Sequence, residues 1–424
     1  MLKTKFLVRN MLILILSAFG VHANAQSKFT LSGQILDSKT KEPLPYANIS
    51  IPQSLSGVIS NEKGEFQYHI PENFENSEIL ITYIGYKTVK INISETETGK
   101  LTIIRMEPLF QQLQEVKVAG NKSKTEAVDI VNKVIKSIRK NYPKEKTLYY
   151  GYYRDYIRPA WTDSCKNLFE AALVIEDRGF HLSDFERTKI KLEQLRYNPA
   201  ISVDSSLNQA YDIKSKFIPY MGLAAANELS ILRAHDPIRN HKIMTFSYVD
   251  IFDYKFTPNH NFHYESITEQ DSVRIYCIRF DKHTKDFSAK TEYWVDGKIY
   301  ISSESFAILK FSYSVSCNTP TYTGVLFELN LEYKNYHAKY YLSYLSLMNY
   351  FVSYNSANQN YAGTPLPYFQ YLELFINKVE NAPFEPIQTF EEIKKNTSLL
   401  TNKIPENEGF WEKYNYPGNM KLLE

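Results

Sequence analysis

The chain has 424 residues, of which 43% are hydrophobic and 23% charged, with 15 glycines, 18 prolines and 33 tyrosines. That composition excludes a disordered chain, a collagenous or low-complexity chain and a multi-span helical membrane protein. Lys and Arg total 49 against 47 Asp and Glu, for a formal charge of +2. Without a basic block, electrostatics gives no case for nucleic acid as a partner.

Lys3, Lys5 and Arg9 precede the apolar run Met11–Leu16, and Ala23-Asn24-Ala25 supplies an A-x-A site. This is the pattern of a secretory signal peptide over residues 1–25, with the mature chain expected to begin at Gln26. Losing those three basic residues turns the balance slightly acidic. Export to the periplasm or the outer membrane is the expected destination, with no transmembrane span in the mature chain. The apolar run is shorter than the roughly 20 residues needed to cross a bilayer.

Residues 27–108 read as short strands separated by turns: Phe29–Leu36, Ala47–Ile51, Glu65–Ile70, Glu78–Ile84, Tyr86–Ile93 and Leu101–Met106. Such spacing predicts an all-β sandwich. The order Ser32-Gly33-Gln34-Ile35, Asp37, Pro43-Leu44-Pro45-Tyr46-Ala47-Asn48-Ile49, Gly57, Gly64-Glu65-Phe66 and Ile84-Gly85-Tyr86 resembles the carboxypeptidase-like regulatory domain. That family implies a transthyretin-like sandwich, common on exported proteins of Bacteroidota, which is not itself catalytic and brings no zinc ligands. Taken singly, these Gly, Pro and Asn residues are turn formers.

Residues 109–122 read as a linker, with Gln111–Gly120 similar to the stretch that joins this module to the plug of TonB-dependent receptors. A receptor barrel does not fit in the roughly 300 residues that remain. Ser123-x-x-Glu126 has capping-box spacing. Ala127, Ile130, Val131, Val134, Ile135 and Ile138 then form a helical stripe, which Pro143 ends. Lys133, Lys136, Arg139 and Lys140 occupy the remaining face, expected to be solvated.

The rest of residues 123–424 reads as a larger antiparallel β domain with a few helices, so the fold class is mainly β. Tyr149–Ile157 and Asn167–Ile175 are strands, a polar, poorly periodic stretch follows to about residue 220, and Gly222–Arg233 is a short helix. Tyr293–Ile301 and Phe306–Val315 form a hairpin around Ser302–Ser305. Val325, Phe327, Leu329, Leu331 and Tyr333 share one face, with Glu328, Asn330, Glu332 and Lys334 opposite. Tyr340, Leu342, Tyr344, Met348, Tyr350 and Val352 are expected to share a face in the next strand. One apolar face and one wet face describe an antiparallel sheet.

The run Ile231-Leu-Arg-Ala-His-Asp-Pro237, the Gly297–Ile308 hairpin, Phe384-Glu385 and Gly409-Phe-Trp-Glu-Lys-Tyr-Asn415 resemble the uncharacterised C-terminal region of the same family. The hairpin is also similar to the open half-barrels of lipoprotein-carrier proteins.

The sequence carries no G-x-S-x-G, H-E-x-x-H, P-loop or G-x-G-x-x-G spacing. Ser38/Lys41, Ser60/Lys63 and Ser137/Lys140 have S-x-x-K spacing but fall in turns or on an exposed helix face. His260 and His263, with Asp250 and Asp253, form the densest set of metal-ligand residue types. Asp163, Glu170, Glu176 and Asp177 are acid/base candidates only by type. Cys165, Cys277 and Cys317 are expected to be free thiols, with a Cys277–Cys317 disulfide as the alternative.

No cofactor is expected. The favoured function is a non-enzymatic envelope protein whose β domain binds a partner protein, glycan or apolar ligand, with the sandwich as docking module. If Phe327, Leu329, Leu331, Tyr340, Leu342 and Tyr344 line a half-barrel, the ligand is apolar; otherwise they are sheet core. The alternative is a hydrolase or metal-dependent peptidase.

Overall fold

The computed structural model describes residues 29–417 except 53, 55, 75, 97–99, 110–119, 163, 182–187, 208–226, 242–251, 271–272, 287–289, 354–365, 395 and 406. The expected leader, most of the expected linker, Asp163 and Asp250 lie outside the described residues.

Seven strands build the N-terminal unit: β1 (Phe29–Asp37), β2 (Asn48–Ser50), β3 (Gly57–Ile59), β4 (Glu65–Ile70), β5 (Glu78–Thr82), β6 (Val89–Asn92) and β7 (Leu101–Met106). They form two sheets, β4-β1-β7 and β3-β2-β5-β6, in which only the β1–β7 pair is parallel. Alternate residues Leu31, Ile35, Tyr68, Ile79 and Ile81 face inward and are fully buried. The turn residues singled out by sequence have physical jobs here. Ser60 Oγ donates to Leu44 O at 2.9 Å and accepts from Ala47 N at 2.8 Å, closing the proline turn. Gly64 sits at φ +71°, where an added Cβ would lie 2.4 Å from Ile35 O. Tyr86 donates to Asp37 Oδ2 at 2.7 Å.

Helix α1 (Gly120–Asn141) follows. It begins three residues before Ser123, so the S-x-x-E spacing lies inside the helix and not at its start. Its stripe Ala127, Ile130, Val131, Val134 and Ile138 is buried, while Lys133, Lys136, Arg139 and Lys140 are exposed, as the helical period requires.

Ten antiparallel strands make the larger sheet: β8 (Thr147–Pro159), β9 (Lys166–Asp177), β10 (Lys189–Tyr197), β11 (Asn261–Gln270), β12 (Val273–Asp286), β13 (Thr291–Ser302), β14 (Ile308–Asn318), β15 (Thr323–Tyr336), β16 (Lys339–Ser353) and β17 (Leu366–Asn381). Their order is β10-β9-β8-β17-β16-β15-β14-β13-β12-β11, so the last strand joins the first across the middle. The hairpin β13–β14 is where the sequence places it. Strand β10 falls in the stretch that the sequence reading leaves without an element. It is an edge strand whose alternation is interrupted by a register shift at Leu192/Gln194.

The inner face of the sheet packs on α1 and on α2 (Glu228–Ala234), which is shorter than the expected Gly222–Arg233; residues 222–226 lie outside the described residues. The outer face is not uniformly wet, because the sandwich sits on part of it. Ser56 and Lys378 form a backbone bridge between the two units. Ile59 of β3 is buried with Tyr152, Tyr344, Phe375 and Trp411.

Candidate functional site

Along β15, Phe327, Leu329 and Leu331 turn inward, and Glu332 and Lys334 turn outward under the sandwich. The neighbouring strand breaks its alternation. Glu332 pairs with Tyr344 while Tyr333 pairs with Leu342, which leaves Ser343 as an extra residue. Ser343 Oγ donates to Glu332 O at 3.0 Å and closes this bulge. The six-residue stripe expected on β16 is therefore divided, with Leu342 inside and Tyr344 outside.

Between that outer face and the sandwich lies a cavity of about 520 Å3. The sandwich contributes Tyr46, Asn48, Thr82 and Tyr83, while the sheet contributes Tyr300, Lys310, Glu332, Lys334, Tyr340 and Ser343. Its walls alternate aromatic rings with amides and hydroxyls. Beside it, Tyr46 stacks on Tyr344 with ring centroids 4.9 Å apart. Tyr344 also donates to Glu373 Oε1 at 2.7 Å, and Ser305 Oγ bonds the Tyr340 hydroxyl at 2.9 Å.

The two lysines of the cavity differ. Lys310 Nζ donates to Glu332 Oε1 at 2.7 Å. Burial pulls its ammonium down, but the Glu332 carboxylate more than offsets this, so its pKa is held above the usual lysine value. Lys334 Nζ meets Asn48 Oδ1 at 3.4 Å, and burial pushes its pKa down to about 7.

The sequence-derived candidates sit elsewhere. His260 is buried, with Nδ1 2.8 Å from Phe256 O, and its ring packs among Phe256, Phe262 and Phe280. His263 is exposed, with Nε2 2.8 Å from Asp281 Oδ1. Asp253 accepts from Lys255 N at 2.8 Å in a turn, and Asp250 lies outside the described residues. Among the described residues, no three His, Cys, Asp or Glu side chains gather as a metal group.

Glu170 is buried and accepts from Tyr152, Arg196 and Asn198 at 2.5, 2.9 and 2.9 Å. Glu176 accepts from Ile387 N at 2.9 Å. Asp177 holds Arg233 at 2.8 Å and Arg239 at 2.9 Å, fixing the α2 region to the sheet. These carboxylates carry structural bonds and share no cleft with the cavity.

Phe327, Leu329, Leu331, Tyr340 and Leu342 belong to the core that α1 and α2 fill. The space beside Leu342, bounded by Arg233 and Asp236, is about 10 Å3, no more than one water. All three cysteines are free and buried. Sequence reasoning did not find Tyr46, Tyr83, Lys310 or Lys334 as a site. The outward half of the β15 alternation was visible, but nothing local says what covers it.

Residues 31–118 match the CarboxypepD_reg-like domain family. No curated protein matches the chain. Among solved structures, a putative outer membrane lipoprotein-sorting protein domain from Vibrio parahaemolyticus is similar at 10% identity and a TM-score of 0.24; the match covers 62% of this chain and 95% of that one. A DUF1329 family protein from Desulfovibrio piger is similar at 8% identity, with the same coverages and a TM-score of 0.25. A putative membrane-associated protein of unknown function from Bacteroides fragilis gives 9% identity over 82% of this chain and 97% of that one, with a TM-score of 0.15. These scores fall well below that of a shared fold.

Proposed function

We propose that this is an exported, non-enzymatic protein of the cell envelope that holds a short glycan in the cavity between its sandwich and its large sheet. The cavity carries the reading. Its volume of about 520 Å3 lies within the roughly 300–1,000 Å3 typical of small-molecule sites. Tyr46, Tyr83 and Tyr300 line it with aromatic rings suited to sugar C–H groups, and Asn48, Ser305 and Ser343 supply hydrogen-bond partners for hydroxyls. The leader pattern and the CarboxypepD_reg-like domain support an envelope location. No helix among the described residues is long and apolar enough to cross a membrane.

An apolar ligand is the weaker choice, because α1 and α2 pack on the inner stripe that would hold it. The metal-dependent hydrolase relied on His260 and His263 converging, and their side chains lie in separate environments, one buried and one exposed.

The test is native mass spectrometry with metal analysis on the mature protein purified from its own envelope. The proposal expects a co-purifying saccharide that is lost on changing Tyr46 or Tyr83 to Ala. Absence of both a bound saccharide and any binding on a glycan array would overturn it, and a stoichiometric transition metal would restore the hydrolase.

A further inference from the structure

We propose that the saccharide bound in this cavity is acidic, carrying a carboxylate or sulfate ester, and that Lys334 is the residue that binds its anionic group. This rests on the cavity reading above and specifies its ligand. Lys334 leaves β15 on the outer face, covered by β2 of the sandwich and flanked by the Ser343 bulge. Among the described residues its Nζ reaches one side-chain oxygen, Asn48 Oδ1 at 3.4 Å, and an amide brings no charge.

Other buried or half-buried cations of this fold are treated differently. Arg154 meets Glu373 at 2.5 Å, Arg196 meets Glu170 at 2.9 Å, Arg239 meets Asp177 at 2.9 Å and Lys310 meets Glu332 at 2.7 Å. Lys334 is half-buried, and a charge withdrawn from water without an opposite charge beside it is unfavourable. A lysine kept there, facing a cavity of ligand size, is explained by an anion that arrives with the ligand.

Besides the Lys310–Glu332 pair, the titratable side chains lining the space around Lys334 are the exposed Glu304 and the tyrosines Tyr46, Tyr83, Tyr300, Tyr333, Tyr340 and Tyr341. Glu332 is already committed to Lys310. The ammonium is the one group in this set whose charge an incoming anion would complement. Burial holds Lys334 near 7 in the free protein, and a bound anion would raise it again. Binding above pH 7 therefore takes up a proton.

The experiment is calorimetry on the full mature chain with three trisaccharides: one neutral galactose-based, its galacturonic acid counterpart and a sulfated form. At pH 6 at least one acidic trisaccharide is expected to bind ten-fold or more tightly than the neutral one, the two acidic arms telling carboxylate from sulfate. The advantage should fall about ten-fold per pH unit above 7, disappear in Lys334→Met and persist in Lys334→Arg, with circular dichroism confirming that both variants fold. Equal binding of neutral and acidic sugars, unchanged by Lys334→Met, would overturn the acidic ligand and leave the cavity reading standing. Binding of none of the three would remove both.

Discussion

The side chain of Asn415 makes both hydrogen bonds to His69 that a neighbouring strand would make. Its Oδ1 accepts from His69 N at 2.7 Å and its Nδ2 donates to His69 O at 3.1 Å. The same residue's carbonyl accepts from Asn377 Nδ2 at 2.5 Å, and Tyr414 OH donates to Gly151 O at 2.9 Å. The segment around Phe410–Tyr416 thus straps the edge of the sandwich to the middle of the large sheet. That strap adds a second set of backbone-directed contacts between the two units, beside the Ser56–Lys378 bridge.

Asn415→Ala leaves His69 N and O without this partner and is expected to cost about 1–3 kcal/mol. The loss should fall on the contact between units more than on either core. Hydrogen exchange should therefore rise first in β4 and around Phe410–Tyr416, and calorimetry should show the unfolding of the two units separating further than in the parent. Uniform faster exchange in every strand would show that the strap supports the whole fold equally.

Arg154 and Glu373 lie on adjacent central strands, β8 and β17, with side chains 2% and 3% exposed. The guanidinium also lies 5.2 Å from the Phe375 ring centroid, and Tyr344 donates to the other Glu373 oxygen. Glu373→Gln would strand a buried cation and is expected to lose about 3–5 kcal/mol. Changing both residues to apolar ones of similar volume should recover much of this. Urea denaturation of the two variants checks it, and a loss below about 1 kcal/mol for Glu373→Gln would contradict the pairing.

Burial raises the Cys165 and Cys277 thiols to about 12, and in Cys277 a bond from Sγ to Glu265 Oε2 at 3.1 Å adds to it. Burial also raises Cys317. Thiolate, the reactive form, is therefore scarce at pH 8 in all three. A thiol-reactive dye should label none of them in the native protein and all three in guanidinium chloride without reductant. One labelled thiol in guanidinium would instead reveal the Cys277–Cys317 disulfide.

Strand alternation made much of this fold readable in advance. Phe327, Leu329 and Leu331 are core and Glu328, Asn330, Glu332 and Lys334 point away, as a period of two demands. The same period failed on β16, because one inserted residue, Ser343, exchanges the faces beyond it and leaves no mark in composition. The cavity was hidden for a different reason. Its walls come from residues such as Tyr46 and Lys334, nearly 300 positions apart, and their meeting depends on how one unit docks on another. His260 and His263 misled because closeness in sequence does not bring two side chains to one environment.

Lys334→Met tests the same lysine through stability, independently of any ligand. In the folded protein its pKa is about 7, against the usual lysine value of 10.5 when unfolded. Between those values the unfolded chain binds the extra proton, so this lysine makes stability rise with pH from about 7 to 10.5 and stay flat below. The limiting slope is about 1.4 kcal/mol per pH unit. Lys334→Met removes the charge while keeping the chain's length, so the variant should be more stable than the parent at pH 6, with the gap closing by pH 10. Urea midpoints at pH 6, 8 and 10 decide the matter. A parent and variant that differ by a constant amount across that range would show that Lys334 stays charged and solvated when the protein folds.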